Sequence, residues 1–152
     1  VPLKAVHRME GEAVPQTAAF RYSEILEGVF GKGVPRFDLI LLGMGADGHT
    51  ASLFPETDVL KENTKPVAAV WVPKLGSWRI TLTLPVINNA RTVAVLVSGN
   101  DKADALNRVW NAPEPDPQLP VTLVCPVAGE LHWFVDGDAA HYLRSERRKD
   151  NS

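Results

Sequence analysis

The chain has 152 residues, of which 45% are hydrophobic, 22% charged and 7% aromatic. This composition is typical of a globular domain and excludes a disordered, collagen-like or membrane-spanning chain. Sixteen basic and eighteen acidic residues give a net charge of −2, so the chain lacks the cationic field that attracts nucleic acids and anionic membranes. We therefore expect neither nucleic acid nor a membrane as a partner.

The number of cysteines indicates the cellular compartment in which the protein is expected. Cys125 is the one cysteine in the sequence, so the chain forms no intrachain disulfide and holds neither a zinc quartet nor a C-x-x-C redox pair. A reducing environment fits this usage, and we expect a cytoplasmic protein.

The first half of the chain predicts one helix followed by three strands. After Pro15, residues 17–30 repeat apolar side chains every three or four positions, which indicates an amphipathic helix. Residues 37–42 form a short continuous apolar run, typical of a strand that is buried on both faces of a parallel sheet. Residues 67–72 and 79–84 are rich in β-branched side chains and bounded by prolines, so they predict two more strands.

The second half predicts strands that alternate with helices. Residues 92–97 form a fully apolar strand, and residues 101–110 follow it after a tight loop with the spacing of an amphipathic helix. A loop with four prolines then leads to a short apolar stretch at 121–124, a predicted strand at 131–135 and a predicted helix at 138–147.

Strands that alternate with helices, two of them apolar on both faces, predict an α/β domain of three layers. Its sheet would be mostly parallel and flanked by helices, in a Rossmann-like arrangement. We expect a single domain over residues 1–152, with a charged tail at about residues 144–152. Ligands of such folds bind outside the carboxyl ends of the strands. Functional residues are therefore expected in the loops that follow residues 42 and 97.

The loop after the first predicted strand is rich in glycine. It reads Gly43-Met44-Gly45-Ala46-Asp47-Gly48-His49. Three glycines allow backbone N–H groups to approach an anion or an oxyanion. The glycine spacing also matches the G-x-G-x-x-G dinucleotide fingerprint, but Pro55 interrupts the long helix that this fingerprint requires. The context therefore disfavours nucleotide binding.

Asp47 and His49 are the candidate catalytic residues. A carboxylate two positions from an imidazole can orient its tautomer, and a neutral imidazole can take a proton from water at neutral pH. The alternative is that His49 caps the turn that follows it while Asp47 bonds within its own loop, as Asx residues commonly do. The spacing alone leaves both interpretations open.

Two basic side chains are candidates for phosphate binding. Lys102 lies in the first turn of the predicted helix after Ser98-Gly99-Asn100, where an ammonium and helix N–H groups could hold a phosphate together. Arg79 opens a predicted strand and could bind a phosphate or carboxylate as a fork. The alternatives are a solvated lysine and an arginine that pairs with a surface acid.

Residues 37–55, FDLILLGMGADGHTASLFP, resemble the signature of 6-phosphogluconolactonases, within the wider glucosamine-6-phosphate isomerase/deaminase-like group. Residues 79–85, 97–103 and 133–136, the last with Ala139-Ala140, resemble later segments of that family in the same order. The resemblance implies a sugar-phosphate isomerase-like fold. It also implies a hydrolase of carbohydrate metabolism that converts 6-phosphoglucono-δ-lactone to 6-phosphogluconate in the oxidative pentose phosphate pathway, with a small sugar phosphate as substrate and no metal or cofactor.

The resemblance assigns roles to residues of this sequence. His49 matches the family's catalytic histidine, which would act as general base for water attack on the lactone carbonyl, with Asp47 orienting it. Lys102 matches its phosphate-binding lysine. The substrate-binding residues would then be Gly43, Gly45, Gly48, Arg79 and Lys102.

Family members carry a first βαβ region before the point at which this chain begins, so the chain resembles the C-terminal portion of the fold, with a truncated sheet. We expect a homo-oligomer or a complementing N-terminal segment to complete it. Two alternatives to a lactonase stay open. One is isomerisation with deamination of an amino-sugar phosphate, and the other is a non-catalytic module that binds sugar phosphates. The ending Leu53-Phe54-Pro55 of the loop segment favours the lactonase.

Overall fold

The computed structural model describes residues 2–146. Within them lie the helices α1 (Pro15–Phe30), α2 (Leu84–Asn88), α3 (Ala103–Trp110) and α4 (His141–Glu146), and the strands β1 (Ile40–Gly43), β2 (Val67–Val72), β3 (Ser77–Leu82), β4 (Thr92–Val97) and β5 (Glu130–Val135). The tail predicted at residues 144–152 lies mostly outside the described residues, and its first three residues belong to α4. None of the helices described here is long and apolar enough to cross a membrane.

A parallel sheet of three strands organises the fold. β4 lies in the middle, with β1 and β5 on either side, and both neighbours run parallel to it. β2 and β3 form a separate antiparallel hairpin in which Val67 lies opposite Leu82. The predicted α/β class with a mostly parallel sheet flanked by helices is confirmed. Because β1 and β4 are parallel and Gly43 lies opposite Leu96, the loops after both strands leave the sheet at the same edge, the one formed by the carboxyl ends of the strands.

The main hydrophobic core lies on one side of the parallel sheet. Val93 and Val95 of β4 are fully buried and belong to one cluster with Ile87 of α2 and Leu106 of α3. Burial of a side chain of this size contributes roughly 1.5–3 kcal/mol to stability. A second cluster joins α1 to the β2–β3 hairpin. The first cluster thus packs α2 and α3 against one face of the sheet, and the second packs α1 against the hairpin.

The opposite side of the parallel sheet is open, so the prediction that the first strand is buried on both faces is wrong. Ile40 and Leu42 are buried, whereas Leu41 between them is 64% exposed. The register places Leu41 on the same face as Leu96 and Phe134, which are 50% and 60% exposed. The reason is that the elements within residues 2–146 leave this face uncovered at all three side chains, on the central strand β4 as well as on β1 and β5.

Three other boundaries differ from the prediction. The strand predicted at 79–84 ends at Leu82, because Pro85 in the first turn of α2 favours a helix start over a ladder hydrogen bond. The helix predicted from residue 101 begins at Ala103, after a 3-10 turn at Asn100–Lys102. The last helix begins at His141 rather than at residue 138.

Candidate active site

The loop after β1 is closed by its own backbone. The N–H of Gly45 donates to the carbonyl of His49 at 2.8 Å, and the N–H of Gly48 donates to the carbonyl of Gly45 at 2.9 Å. The hydroxyl of Thr50 donates to the carbonyl of Gly43 at 2.7 Å. The N–H groups of Gly45 and Gly48 therefore have partners within the loop, and a substrate contact by the three glycines stays a prediction.

Two of the glycines are required by space. A Cβ on Gly45 would lie 2.0 Å from Nδ1 of His49 and 2.8 Å from Oδ1 of Asp47. Gly48 has a φ of +78°, which side chains disfavour, and a Cβ there would lie 2.8 Å from Cδ2 of Leu119. The loop can pack the imidazole against its own backbone only because residue 45 has no side chain.

The structure brings Asp47 and His49 into direct contact. Nδ1 of His49 lies 2.5 Å from Oδ1 of Asp47, and the backbone N–H of His49 donates to the same oxygen at 3.2 Å. An ionised carboxylate only accepts hydrogen bonds, so we assign the imidazole proton to Nδ1. Nε2 then carries a lone pair and is the ring nitrogen able to take a proton.

The imidazole of His49 stacks on an aromatic ring but is not buried. Its ring stacks on that of Phe54, with ring centroids 4.0 Å apart and an angle of 17° between the ring planes. Phe54 itself is buried in the core. The side chain of His49 is 29% exposed, so one face of the ring packs on the protein while part of the ring contacts solvent. A cavity of about 750 Å³ lies elsewhere, between α1 and β2.

Lys74 is a third member of this site, and the sequence did not single it out. It lies in the 3-10 turn Pro73–Leu75 between β2 and β3, and its Nζ donates to Oδ2 of Asp47 at 2.7 Å. Burial alone would raise the pKa of Asp47, but the hydrogen bonds from Lys74 and His49 outweigh it and hold that pKa well below its usual range. Asp47 is therefore ionised at neutral pH.

The side chain of Arg79 is exposed and is engaged within the hairpin. In β3 it lies on the same face as Thr81, because alternate residues of a strand share a face. The hydroxyl of Thr81 accepts a hydrogen bond from the N–H of Ser52 at 3.2 Å, so this face of the hairpin packs against the segment that follows His49. Nη1 of Arg79 donates to Oγ of Ser77 at 2.8 Å and to the carbonyl of Trp78 at 3.1 Å.

Lys102 lies in the loop after the neighbouring strand β4. Its Nζ donates to Oδ2 of Asp101 at 2.5 Å, and its side chain is 24% exposed. This hydrogen bond lowers the pKa of Asp101. The structure thus places Lys102 at the same edge of the sheet as His49, but paired with the residue next to it in sequence.

A carboxylate from the end of β5 shapes the loop after β4. Asp136 accepts a hydrogen bond from Oγ of Ser98 at 2.6 Å and another from the N–H of Gly99 at 3.0 Å. It also accepts from the N–H of Ala139 at 2.8 Å. The hydrogen bond from Ser98 is the main cause of the lowered pKa of Asp136. These contacts tie together the chain after two adjacent strands.

Comparison with known proteins places this geometry in a family. The family model described as "Glucosamine-6-phosphate isomerases/6-phosphogluconolactonase" matches residues 1–133. The 6-phosphogluconolactonase of Homo sapiens is 43% identical over 145 residues, which is 94% of this chain and 56% of that protein. The 6-phosphogluconolactonase of Bos taurus is 47% identical over 130 residues, which is 84% of this chain and 50% of that protein.

Solved structures agree. The crystal structure of the devB protein matches with a TM-score of 0.85 at 34% identity, over 93% of this chain and 60% of that chain. The 6-phosphogluconolactonase from Trypanosoma cruzi matches with a TM-score of 0.72 at 29% identity, over 85% of this chain and 52% of that chain. The chain therefore spans about half the length of the curated relatives it matches. It belongs to the family of glucosamine-6-phosphate isomerases and 6-phosphogluconolactonases.

Proposed function

We propose that this chain carries the catalytic histidine of a 6-phosphogluconolactonase, which hydrolyses 6-phosphoglucono-δ-lactone to 6-phosphogluconate in the oxidative pentose phosphate pathway. The observation that carries the proposal is the contact of 2.5 Å between Nδ1 of His49 and Asp47. It directs the basic Nε2 away from the carboxylate, in a ring that is partly open to solvent. The substrate is suggested by relatives that are named 6-phosphogluconolactonase.

The proposed reaction needs one proton acceptor that later becomes a donor. Nε2 of His49 takes a proton from water while the water oxygen bonds to the lactone carbonyl carbon. The tetrahedral intermediate then breaks its bond between that carbon and the ring oxygen. The ring oxygen leaves with the proton from the imidazolium, so one water is added and the product has a carboxyl group and a free hydroxyl. Asp47 stays ionised and stabilises the imidazolium, as the carboxylate of a catalytic triad does.

Lys102 is the proposed phosphate ligand, and Arg79 is a second proposed substrate-binding residue. The ammonium of Lys102 lies at the same sheet edge as His49 and pairs with the single carboxylate of Asp101. A phosphate dianion carries more charge and offers three acceptor oxygens, so it would compete well for this lysine. We further propose that the glycine loop of Gly43, Gly45 and Gly48 lines the substrate, and that the reaction takes place in the cytoplasm, which suits a chain with one cysteine.

The test is the rate of lactone opening, measured above the spontaneous rate, for the wild type and for His49→Ala. We expect the substitution to lower the enzymatic rate by roughly 10²–10⁴-fold, the usual contribution of a general base. His141→Ala, which changes an exposed histidine of α4, is the matched control and should leave the rate unchanged.

Three results would contradict the proposal or redirect it. A wild-type rate equal to the blank would favour a non-catalytic module that binds sugar phosphates. Full activity of His49→Ala, with the fold intact by circular dichroism, would remove His49 from the mechanism. Release of ammonia from glucosamine 6-phosphate, without lactone hydrolysis, would assign the isomerase and deaminase chemistry instead.

A further inference from the structure

We infer that Lys74 is a positioning residue for His49, acting through the carboxylate of Asp47. As a statement about catalysis the inference rests on the proposed function, because it assigns to Lys74 the task of keeping Nε2 of His49 available as a base. As a statement about the imidazole it rests only on the contacts among these three side chains.

The two oxygens of Asp47 have different partners. Oδ1 accepts from the ring and from the backbone N–H of His49, and Oδ2 accepts from Nζ of Lys74. A carboxylate is free to turn about its Cβ–Cγ bond, since that torsion has broad wells. With a donor on each oxygen, a turn breaks at least one charge-assisted hydrogen bond, which is the stronger kind. Lys74 therefore fixes the plane of the carboxylate that orients the imidazole.

Lys74 comes from a part of the fold that is well anchored. Val72, two residues before it, is 1% exposed and belongs to the main core, and Val72 pairs with Ser77 at the end of the hairpin. The hairpin also contacts the loop through Thr81, whose hydroxyl accepts from the N–H of Ser52. The lysine thus reaches the carboxylate from a short turn whose two ends are held by strand pairing.

Lys74 is much more exposed to solvent than Asp47 and His49. The Lys74 side chain is 66% exposed, while those of Asp47 and His49 are 23% and 29% exposed. A lysine this exposed contributes little to the core, so its substitution should leave the fold intact. An effect of the substitution on His49 would therefore report the hydrogen bond to Asp47 rather than general destabilisation.

The experiment compares Lys74→Gln, Lys74→Arg and the control Lys32→Gln, which changes an exposed lysine in the loop after α1. At metal sites, loss of an outer partner that orients a ligand costs about 10–100-fold. We expect a loss at the lower end of that range here, so Lys74→Gln should lower kcat about tenfold with KM within twofold of the wild type. Lys74→Arg keeps a cationic donor and should restore most of kcat. Lys32→Gln should match the wild type in both constants.

A second readout does not depend on activity. In protein labelled with ¹⁵N-histidine, the ring nitrogen shifts of His49 report which nitrogen carries the proton. We expect the wild type and Lys74→Arg to hold the Nδ1–H tautomer, and Lys74→Gln to show a mixture of both tautomers. An unchanged Nδ1–H tautomer in Lys74→Gln would overturn the inference.

The kinetic outcomes separate this inference from the proposed function. A tenfold rise in KM with unchanged kcat would overturn it, because it would make Lys74 a substrate ligand rather than a positioning residue. If the wild type shows no lactonase activity, the proposed function fails, and the tautomer of His49 in Lys74→Gln alone decides the role of Lys74.

Discussion

The loops after β1 and β4 leave the same edge of the parallel sheet, yet their charged side chains have different kinds of partner. In the loop after β1, the carboxylate of Asp47 binds a residue of its own loop and also Lys74, which lies 27 positions away in a separate hairpin. In the loop after β4, the side chain of Lys102 binds, within residues 2–146, only its neighbour Asp101. The first arrangement is assembled by the fold, and the second is local.

The difference separates two kinds of functional group. A side chain held by several elements is already oriented, so little reorganisation is needed when a reaction begins. A lysine paired with an adjacent exposed carboxylate can exchange that partner for a ligand, because an exposed ion pair is worth about 0–1 kcal/mol. We interpret the first loop as the place of proton transfer and the second as the place of anion binding.

Gly45→Ala is the sharpest way to break the first arrangement. The new methyl group would overlap the ring of His49, with Nδ1 2.0 Å away, so the ring must move from Asp47. A displacement of about 1 Å can cost about 10²-fold in rate, and we expect a loss of this size in kcat, measured by lactone opening. Gly28→Ala, at a helical glycine whose Cβ would meet nothing, is the control. Near wild-type activity of Gly45→Ala would show that the contact with Asp47 is not needed.

Lys102→Met tests the second arrangement. Loss of a charged hydrogen bond to a ligand is worth about 1.5–3 kcal/mol, so we expect KM to rise roughly 10–100-fold with a smaller change in kcat. Asp101→Asn should act in the opposite direction and lower KM, since Asp101 occupies the ammonium that the phosphate needs. Steady-state kinetics of lactone opening give KM and kcat for both variants. If the two substitutions shift KM in the same direction, the idea of an exchangeable partner fails.

The smallest effect that we expect is the change in the free energy of unfolding caused by Asp47→Asn, and this change depends on pH. The pKa of Asp47 is lowered in the folded state, so its carboxylate stabilises the fold above the unfolded value of about 3.9 and loses this contribution as the pH falls below it. The free energy of unfolding should therefore drop less between pH 6 and pH 3 in Asp47→Asn than in the wild type, by on the order of 1 kcal/mol. Urea unfolding at the two pH values measures this.

The control for that measurement is Asp104→Asn, which changes an exposed carboxylate on α3. It should lose as much stability between pH 6 and pH 3 as the wild type does. Should Asp47→Asn behave like this control, the ion pairs of Asp47 contribute nothing to the folded state.

Local pattern determined much of this protein. Helix α1 and strands β2 and β4 follow the predicted segments because an apolar period of 3.6 or 2 residues, and the prolines and glycines that end it, act over a few positions. The same is true of Asp47 and His49, whose backbones lie within one turn, so their contact needs no distant element. Family resemblance was also legible, since it lies in contiguous segments of the chain.

Tertiary structure alone decided the rest. An apolar run such as residues 37–42 predicts a strand, but whether Leu41 is covered depends on which elements pack above it, and that is not encoded in the run itself. Likewise Lys74 is one of seven lysines in the sequence, and no pattern near it in sequence indicates a contact with Asp47. It becomes part of the site only because the β2–β3 hairpin packs beside the loop after β1, which places two opposite charges within hydrogen-bonding distance.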